Sequence, residues 1–518
     1  MSGSHSPSAA SGLAAIDHVV VLMMENRSFD NVLGYLYPDG VPADAPLGKT
    51  FDGLLFPGGS AKPLFNPVPA SAVHQPGHGQ QIVRAGPVAP GNFRQPYPDP
   101  GEEYPYINIQ LFNRLDGDTQ PPYNLPPGNP APTMDGFITD YIRNFKEVES
   151  PGMDPDHQGR DPTYDEYRQI MQSYTPAHLP VLSTLAREFA VFDNWHCAVP
   201  SQTFCNRAFW HAGTSWGRVI NEPMKDWQVG SAAPTLFNQF AACDPASGLG
   251  WKIYSGNSAQ FFLTAVIHAD ALAPFTPPLK SSNAQMQGMA EFLSDCAAGT
   301  LPSYSFIEPQ IYGAHNDMHP SSTSGIFDAD NADSSVTLGE ALIWEVYEAV
   351  RTSACTAGNN AMNTLLIITF DEHGGTYDHV PPPAAVPPGL AGNPAQDGFD
   401  FARLGVRVPM IMVSAQIAAN TVVNTPMDHC SFMATLRHKW DAAAPGKFPP
   451  LTARVEAATP FDAVFTAPAP RTVCDWPLIP RPLLRPPAPP LSGQPLNHLQ
   501  KTCAAAVAYL AAAGTFNS

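Results

Sequence analysis

The chain of 518 residues has no C-x-x-C pair among its eight cysteines and no uninterrupted apolar run of 18 residues. The first absence excludes a zinc ribbon or a thioredoxin-type redox motif, and the second excludes a transmembrane helix. Charge is scarce, at 14% of residues, and positive charge scarcer: 27 Lys and Arg stand against 46 Asp and Glu, a balance of −19. Binding nucleic acid through its phosphate backbone calls for a basic surface, so no nucleic-acid partner is expected. The N-terminus, MSGSHSPSAASGLAA, lacks the basic start and apolar stretch of a secretory signal. Scattered cysteines suit a cytosolic enzyme as well as an exported one, so the compartment stays open, with a periplasmic or secreted location as the alternative.

Proline, by contrast, is abundant at 58 residues and implies long, stiffened, irregular loops. Residues 1–14 read as a flexible N-terminal arm. The runs HVVVLMM (18–24) and LLIITF (365–370) are continuously apolar, as in parallel strands covered on both faces. Shorter runs at 189–192, 304–307 and 408–413 predict further strands. Helical spacing of apolar residues appears over 179–189, 338–352 and 432–440. Strands alternating with helices predict an α/β fold with a parallel or mixed sheet. Residues 15–475 read as a single domain with long loop insertions at 37–133 and 208–300. Residues 476–518 read as a Pro-rich connector leading to a short Ala-rich helix over 496–513.

Two strands share an unusual ending. HVVVLMM runs directly into Glu25-Asn26-Arg27-Ser28, and LLIITF into Asp371-Glu372-His373-Gly374-Gly375. Ligands of open α/β sheets sit outside the carboxyl ends of the strands, so these acidic residues can meet there. Oxygen donors from Glu25, Asn26, Asp371 and Glu372 suit a hard divalent cation. The blander reading makes Asn26 or Ser28 a helix cap and Asp371 the start of a glycine turn. A third segment, Asp193 to Arg207, follows a short strand and offers two hydroxyls, Ser201 and Thr203, between which spacing alone does not choose. Either could be a nucleophile if a nearby cation lowers its pKa, and Arg207 could pair with a phosphate or brace a loop. Cys205 is a poorer candidate, since nothing in the sequence marks a partner for its thiolate.

These stretches resemble the bacterial phosphoesterase family that contains phospholipases C and related acid phosphatases, with plant non-specific phospholipases C as relatives. The matching segments are IDHVVVLMMENRSFDNVLGYL (16–36), MDGFITDY (134–141), LPVLSTLAREFAVFDNWHCAVPSQTFCNR (179–207), NDMHP (316–320) and FDEHGGTYDHVPPP (370–383), with MDHCSFMATLR (427–437) weaker. The resemblance implies an alkaline-phosphatase-like α/β/α sandwich around one large mixed, mostly parallel sheet. It places the family's metal ligands on Glu25, Asn26, Asp371 and Glu372. It also selects Thr203, three residues before Asn206-Arg207, as nucleophile over Ser201, and gives His319 an active-site role. Asn206 and Arg207 are the expected phosphate-binding residues. His379 and His429 are weaker active-site candidates, and His315 and His211 read as structural. Residues 321–336 look like an insertion.

One departure stands out. The segment Asp99-Pro-Gly-Glu102-Glu103-Tyr104 resembles a family stretch that commonly carries His where this chain has Glu102. An ionised carboxylate cannot donate a hydrogen bond, whereas a protonated Glu102 could serve as donor to a leaving oxygen. The function implied is a metal-assisted phosphoester hydrolase using one divalent cation, or a second in addition, through a phospho-threonine intermediate. Its expected substrate is a phosphodiester of the phospholipid kind, met by transient contact with a lipid surface. An acid-phosphatase-type phosphomonoesterase is the alternative, and a catalytically silent phosphate- or lipid-binding protein the outside reading.

Overall fold

The computed structural model describes residues 9–54, 64–72, 82–115, 123–128, 130–146, 161–221, 227, 234–257, 261–272, 285–311, 315–320, 335–390, 395–483, 502 and 505. Its central sheet has eight strands: β1 (His18–Met24), β2 (Ala190–Phe192), β3 (Trp251–Ser255), β4 (Met286–Gly288), β5 (Tyr304–Glu308), β6 (Thr364–Phe370), β7 (Met410–Val413) and β8 (Thr421–Val423). They lie in the spatial order β8-β2-β7-β6-β1-β5-β3-β4. Strand β7 is antiparallel to both neighbours, β6 and β2, and every other pairing is parallel. The fold is thus a mixed, mostly parallel sheet surrounded by helices.

The two long apolar runs pair with each other along their full length, from His18 opposite Thr364 to Met24 opposite Phe370. Every residue of β6 and all of β1 except His18 is buried. Each fully buried Val, Leu, Ile, Met or Phe side chain here contributes about 1.5–3 kcal/mol through burial. One helical group comprises α5 (Pro180–Glu188) and α7 (Val336–Thr352), with the Met289–Ala298 helix beside them. A second group comprises α6 (Thr203–Ala212) and α8 (His429–Ala443), with the Leu263–Ile267 helix against α6. Ahead of them in the chain lie α1 (Ala9–Ala14), α2 (Phe29–Leu33), α3 (Tyr104–Phe112) and α4 (Phe137–Lys146). The main apolar core runs from Leu13 to Ile479. A smaller one joins α3 and α4 through Ile107, Leu111, Phe137 and Tyr141, and includes Tyr377 and Val406.

Three expectations change. Residues Ala9–Ala14 form helix α1 rather than a flexible arm, because Leu13 is buried in the main core and Gly12 lies against Phe465; residues 1–8 lie outside the described set. The segment 208–300 is not only loop: it supplies β3 and β4 to the central sheet, and 37–133 supplies α3. The beginning of the Pro-rich connector is seated on α7, where Tyr347 Oη donates to Pro477 O (2.8 Å) and Trp344 Nε1 to Ile479 O (2.7 Å). Most of 484–518, including the expected helix over 496–513, and 321–334 of the expected insertion lie outside the described residues. Among the described residues no helix is long and apolar enough to cross a membrane.

Candidate active site

Because β1 and β6 are parallel neighbours in register, Glu25 and Asp371 follow them at adjacent carboxyl ends. Asn26, in a left-handed conformation (φ 53°), turns its backbone N–H to Asp371 Oδ1 at 3.0 Å, across 345 residues of sequence. The same oxygen accepts the N–H of Glu372 (2.8 Å), and Gly374 N–H donates to Glu372 Oε2 (2.7 Å). The glycines are required here. Gly374 (φ +58°) has Asn26 O only 2.2 Å from where a Cβ would stand, and Gly375 (φ +62°) has Gly101 O at 2.4 Å. His429 supports the turn from α8: its Nδ1 accepts from Trp195 Nε1 (3.2 Å), so its Nε2–H donates to Asp371 O (2.7 Å). Burial pushes that imidazole down to about 4, so it stays neutral at this post.

Thr203 opens α6, and its Oγ1 donates to Glu25 Oε2 at 3.2 Å. The hydroxyl is fully buried, on the strand-end side and at the positive end of a ten-residue helix. Ser201 is committed elsewhere, donating to Val219 O (2.5 Å), and burial pushes the Cys205 thiol up to about 12, away from its nucleophilic form. One turn along α6, Arg207 pairs with Glu25 Oε1 and Met23 O through Nη2, and its Nε lies 3.7 Å from Asp371 Oδ2. Asn206, expected to bind substrate, turns its amide to the preceding loop. Its Nδ2 donates to the carbonyls of Val199, Ser201 and Gln202, and its Oδ1 accepts Val199 N–H. All its bonding capacity goes into shaping the loop that delivers Thr203.

On the other side of Asn26, its Nδ2 meets Glu102 Oε2 and His319 Nε2 (2.9 Å). His319 lies 3.6 Å from both Glu102 Oε2 and Asp99 Oδ1. Burial opposes charge on His319, but the carboxylates of Asp99, Glu102 and Asp317 outweigh it and hold its imidazolium form well above the ordinary range. Glu102 is therefore inside the site. Asp99, Gln110 and His373 also reach it and were not singled out from sequence. For His373 the available signal was its place directly after the acidic pair.

Seven of the expected site residues thus converge: Glu25, Asn26, Glu102, Thr203, Arg207, His319 and Asp371. Glu372 joins them through the Gly374 turn. Burial drives Glu25 well above the usual carboxylate range despite Arg207, and Asp371 adds to the rise. Burial does the same to Glu372, followed by the charges of Glu102 and Asp371. A guanidinium keeps its proton, so Arg207 offers one positive charge to both Glu25 and Asp371. Asn26 Oδ1, Asp371 Oδ2 and Glu372 Oε1 are buried with no hydrogen-bond partner among the described residues. Buried oxygens without hydrogen-bond partners, two of them from carboxylates, are chemically compatible with a hard divalent cation.

Among the described residues two trios bring one ligand atom each within 4.8 Å of one another: Asp99–Glu102–His319 and Asp30–Asp378–His379. The second is already filled by Arg407, whose Nη2 and Nε donate to Asp30 Oδ1 and Asp378 Oδ1, both at 2.9 Å. His379 completes that cluster, Nδ1 to Asp30 Oδ2 (2.6 Å) and Nε2 to Asp52 Oδ1 (3.1 Å). It ties α2 to the Gly-Gly turn behind the site, which places His379 in scaffolding rather than chemistry.

Comparison with known proteins follows this geometry. A family model described as the phosphoesterase family matches residues 16–443. Non-specific phospholipase C3 of Arabidopsis thaliana is 31% identical over 484 residues, covering 90% of this chain and 77% of the relative. Phospholipase C B of Mycobacterium tuberculosis (strain CDC 1551 / Oshkosh) is 24% identical, with 84% and 75% covered. A solved Vibrio parahaemolyticus protein in the alkaline phosphatase superfamily aligns at TM-score 0.30 and 11% identity, covering 59% of this chain and 65% of that one.

Proposed function

The chain belongs to the phosphoesterase family, and on that premise we propose that it hydrolyses phosphodiesters of phospholipids in the phospholipase C manner, with Thr203 as nucleophile. The observation that carries the reading is the Thr203 hydroxyl. It sits at a helix N-terminus, hydrogen-bonded to Glu25 at one of two adjacent strand ends, which together carry three buried oxygens with no hydrogen-bond partner among the described residues. Relatives named phospholipase C support the substrate class.

Glu25, Asn26, Asp371 and Glu372 would hold one divalent cation. Such an ion, when bound, lowers the pKa of a hydroxyl beside it and offsets charge on phosphoryl oxygens. The rest falls to the protein. Thr203 Oγ1 releases its proton toward Glu25 Oε2 and bonds to phosphorus in line. The bond from phosphorus to the glycerol oxygen breaks. That oxygen takes a proton from the imidazolium form of His319, which the surrounding carboxylates favour and in which Nε2–H turns from Asn26 Nδ2 to the leaving oxygen. The α6 N-terminus faces the phosphoryl charge. In the second step neutral His319 takes a proton from the attacking water, the bond from phosphorus to Oγ1 breaks, and Oγ1 recovers the proton held by Glu25 as the headgroup phosphate leaves. Arg207, bonded to Glu25 from behind, keeps that carboxylate aimed at the hydroxyl.

Matched chromogenic phosphodiesters and phosphomonoesters, assayed with and without chelator, test the reaction class. Diester turnover that chelator removes supports the reading, and a preference for monoesters replaces it with the acid-phosphatase type. Mass spectrometry of enzyme quenched during turnover should find a phosphoryl adduct on the peptide carrying Thr203. Thr203→Ala should lose both the adduct and on the order of 10³-fold or more in rate, and Thr203→Ser should retain some of each. Full activity in Thr203→Ala overturns the nucleophile.

A further inference from the structure

A helix leaves the N–H groups of its first turn without partners inside it and gathers partial positive charge there. In α6, ten residues long, that turn begins at Thr203, and its N-cap residue, Gln202, makes no side-chain cap. The cap comes from another part of the chain. Asn221 Oδ1 accepts the Phe204 N–H at 2.9 Å, and the Asn221 backbone N–H donates to Gln202 Oε1 at 3.0 Å. Ser201 Oγ, bonded to Val219 O (2.5 Å), fastens the same two stretches together. An N–H is met only by an acceptor, so the atom of the Asn221 amide on Phe204 is its oxygen, and the other is its NH₂ group. The side chain is thus fixed in place and in orientation, against the residue next to Thr203.

Asn221 is fully buried, yet its Nδ2 has no hydrogen-bond partner among the described residues. A buried amide donor left unmet costs stability. Capping alone does not call for it: Asp, Ser or Thr would give Phe204 an oxygen and bury no NH₂ group. Asn206, expected from sequence to meet the phosphate, spends its own amide on the preceding loop. The unmet donor of Asn221 instead stands at the turn that carries the hydroxyl, where the helix already favours an anion. We infer that Asn221, through Nδ2, donates a hydrogen bond to a non-bridging oxygen of the phosphoryl group as Thr203 attacks it. The inference rests on Thr203 being the nucleophile. The bond moves no proton; it strengthens as negative charge gathers on that oxygen in the transition state.

The test sets Asn221→Asp beside Asn221→Ala, each in the full chain at pH 8. Asp keeps an oxygen for the Phe204 N–H and suits a helix N-terminus, but puts an anion in place of the donor. Thermal unfolding should find Asn221→Asp no less stable than wild type and Asn221→Ala less stable. In both, kcat on a phosphodiester with a good leaving group should fall about 10²–10³-fold, as loss of one oxyanion donor does. Inorganic phosphate, as a competitive inhibitor, should bind both about 10-fold or more weakly. The two diastereomers of a phosphorothioate diester give a readout that a cap alone would not move. Sulfur accepts a hydrogen bond less well than oxygen, so wild type should prefer one diastereomer, and both variants should lose about 10-fold of that preference. Should either variant fail to fold, the preference measured in the other decides. A variant that is slower yet keeps the full preference overturns the donor and leaves Asn221 a cap, and a wild type without preference overturns it likewise. Variants within threefold of wild-type kcat, with Thr203→Ala inactive, overturn the donor and leave the nucleophile standing. Full activity in Thr203→Ala overturns both.

Discussion

Replacing Gly374 with alanine tests the claim that the site depends on a fixed separation between two strand ends. The added Cβ would stand 2.2 Å from Asn26 O and 2.6 Å from Asn26 Cβ, both backbone-bound and unable to rotate away. Relief needs a shift of roughly 1 Å between the turn bearing Glu372 and the turn bearing Asn26, given ordinary contact distances of about 3.5 Å. A misplacement of that size commonly costs about 10²-fold in rate. The left-handed backbone (φ +58°) adds about 1–2 kcal/mol of strain, and the overpacking about 1–3 kcal/mol. A domain stable by roughly 5–15 kcal/mol survives the sum. Gly446→Ala separates the two effects: its φ is +77° but nothing lies within 4 Å of its Cβ position. It should therefore lose about 1–2 kcal/mol of stability and no activity. Thermal unfolding and kcat on a chromogenic phosphodiester are measured for both variants. If Gly374→Ala stays within threefold of wild-type kcat, the two turns tolerate displacement and the geometric claim is wrong.

Glu25→Ala and Asp371→Ala should each remove bound divalent metal and activity, and the double variant should be little worse than either, as residues acting as one unit behave; undiminished metal content in both single variants contradicts a shared site. Glu102→Gln, which keeps a contact to Asn26 but not an acid, should slow substrates with poor leaving groups and spare those with good ones. Equal effects on both make Glu102 a bystander to proton transfer. His379 resists charging by burial, but Asp30 and Asp52 raise it from the ordinary 6.5 to about 9. Its stabilisation is therefore fully present below about pH 6.5 and is lost as pH rises through about 9, on the order of 3 kcal/mol in all. Denaturant unfolding across pH 6 to 10 should show that decline in wild type and a flatter curve in His379→Gln.

The parts legible in sequence were those written in contiguous residues. An apolar run ending abruptly in Glu25-Asn26 or Asp371-Glu372 states both the strand and what stands at its end. Strands β3 and β4 left no such mark: Trp251–Ser255 contains Lys252 and Met286–Gly288 is three residues long, so their place in the sheet comes from pairing, β3 on β5 and β4 on β3. Asn206 shows the same limit for function. Its neighbours Thr203 and Arg207 point into the site, yet its own amide closes the loop 199–202, a choice set by backbone geometry. The Gln110 to His373 bond was illegible because Gln110 lies on a helix of the smaller core, and no local pattern links it to the Gly-Gly turn.

The in-register pairing of β1 with β6 also has a consequence for biosynthesis. HVVVLMM leaves the ribosome before both neighbours it needs, β5 and β6, which are encoded hundreds of residues downstream. At ordinary elongation rates of about 5–20 residues per second, the wait for β6 is roughly 20–70 s. Throughout that interval the stickiest strand of the molecule has both hydrogen-bonding edges open, a template for pairing with other nascent chains. The proposed site is incomplete meanwhile, because its acidic residues are divided between the two strand ends. The nascent enzyme is therefore inert until its last strands emerge, and its yield in a cell should depend on chaperones that cover β1 during translation.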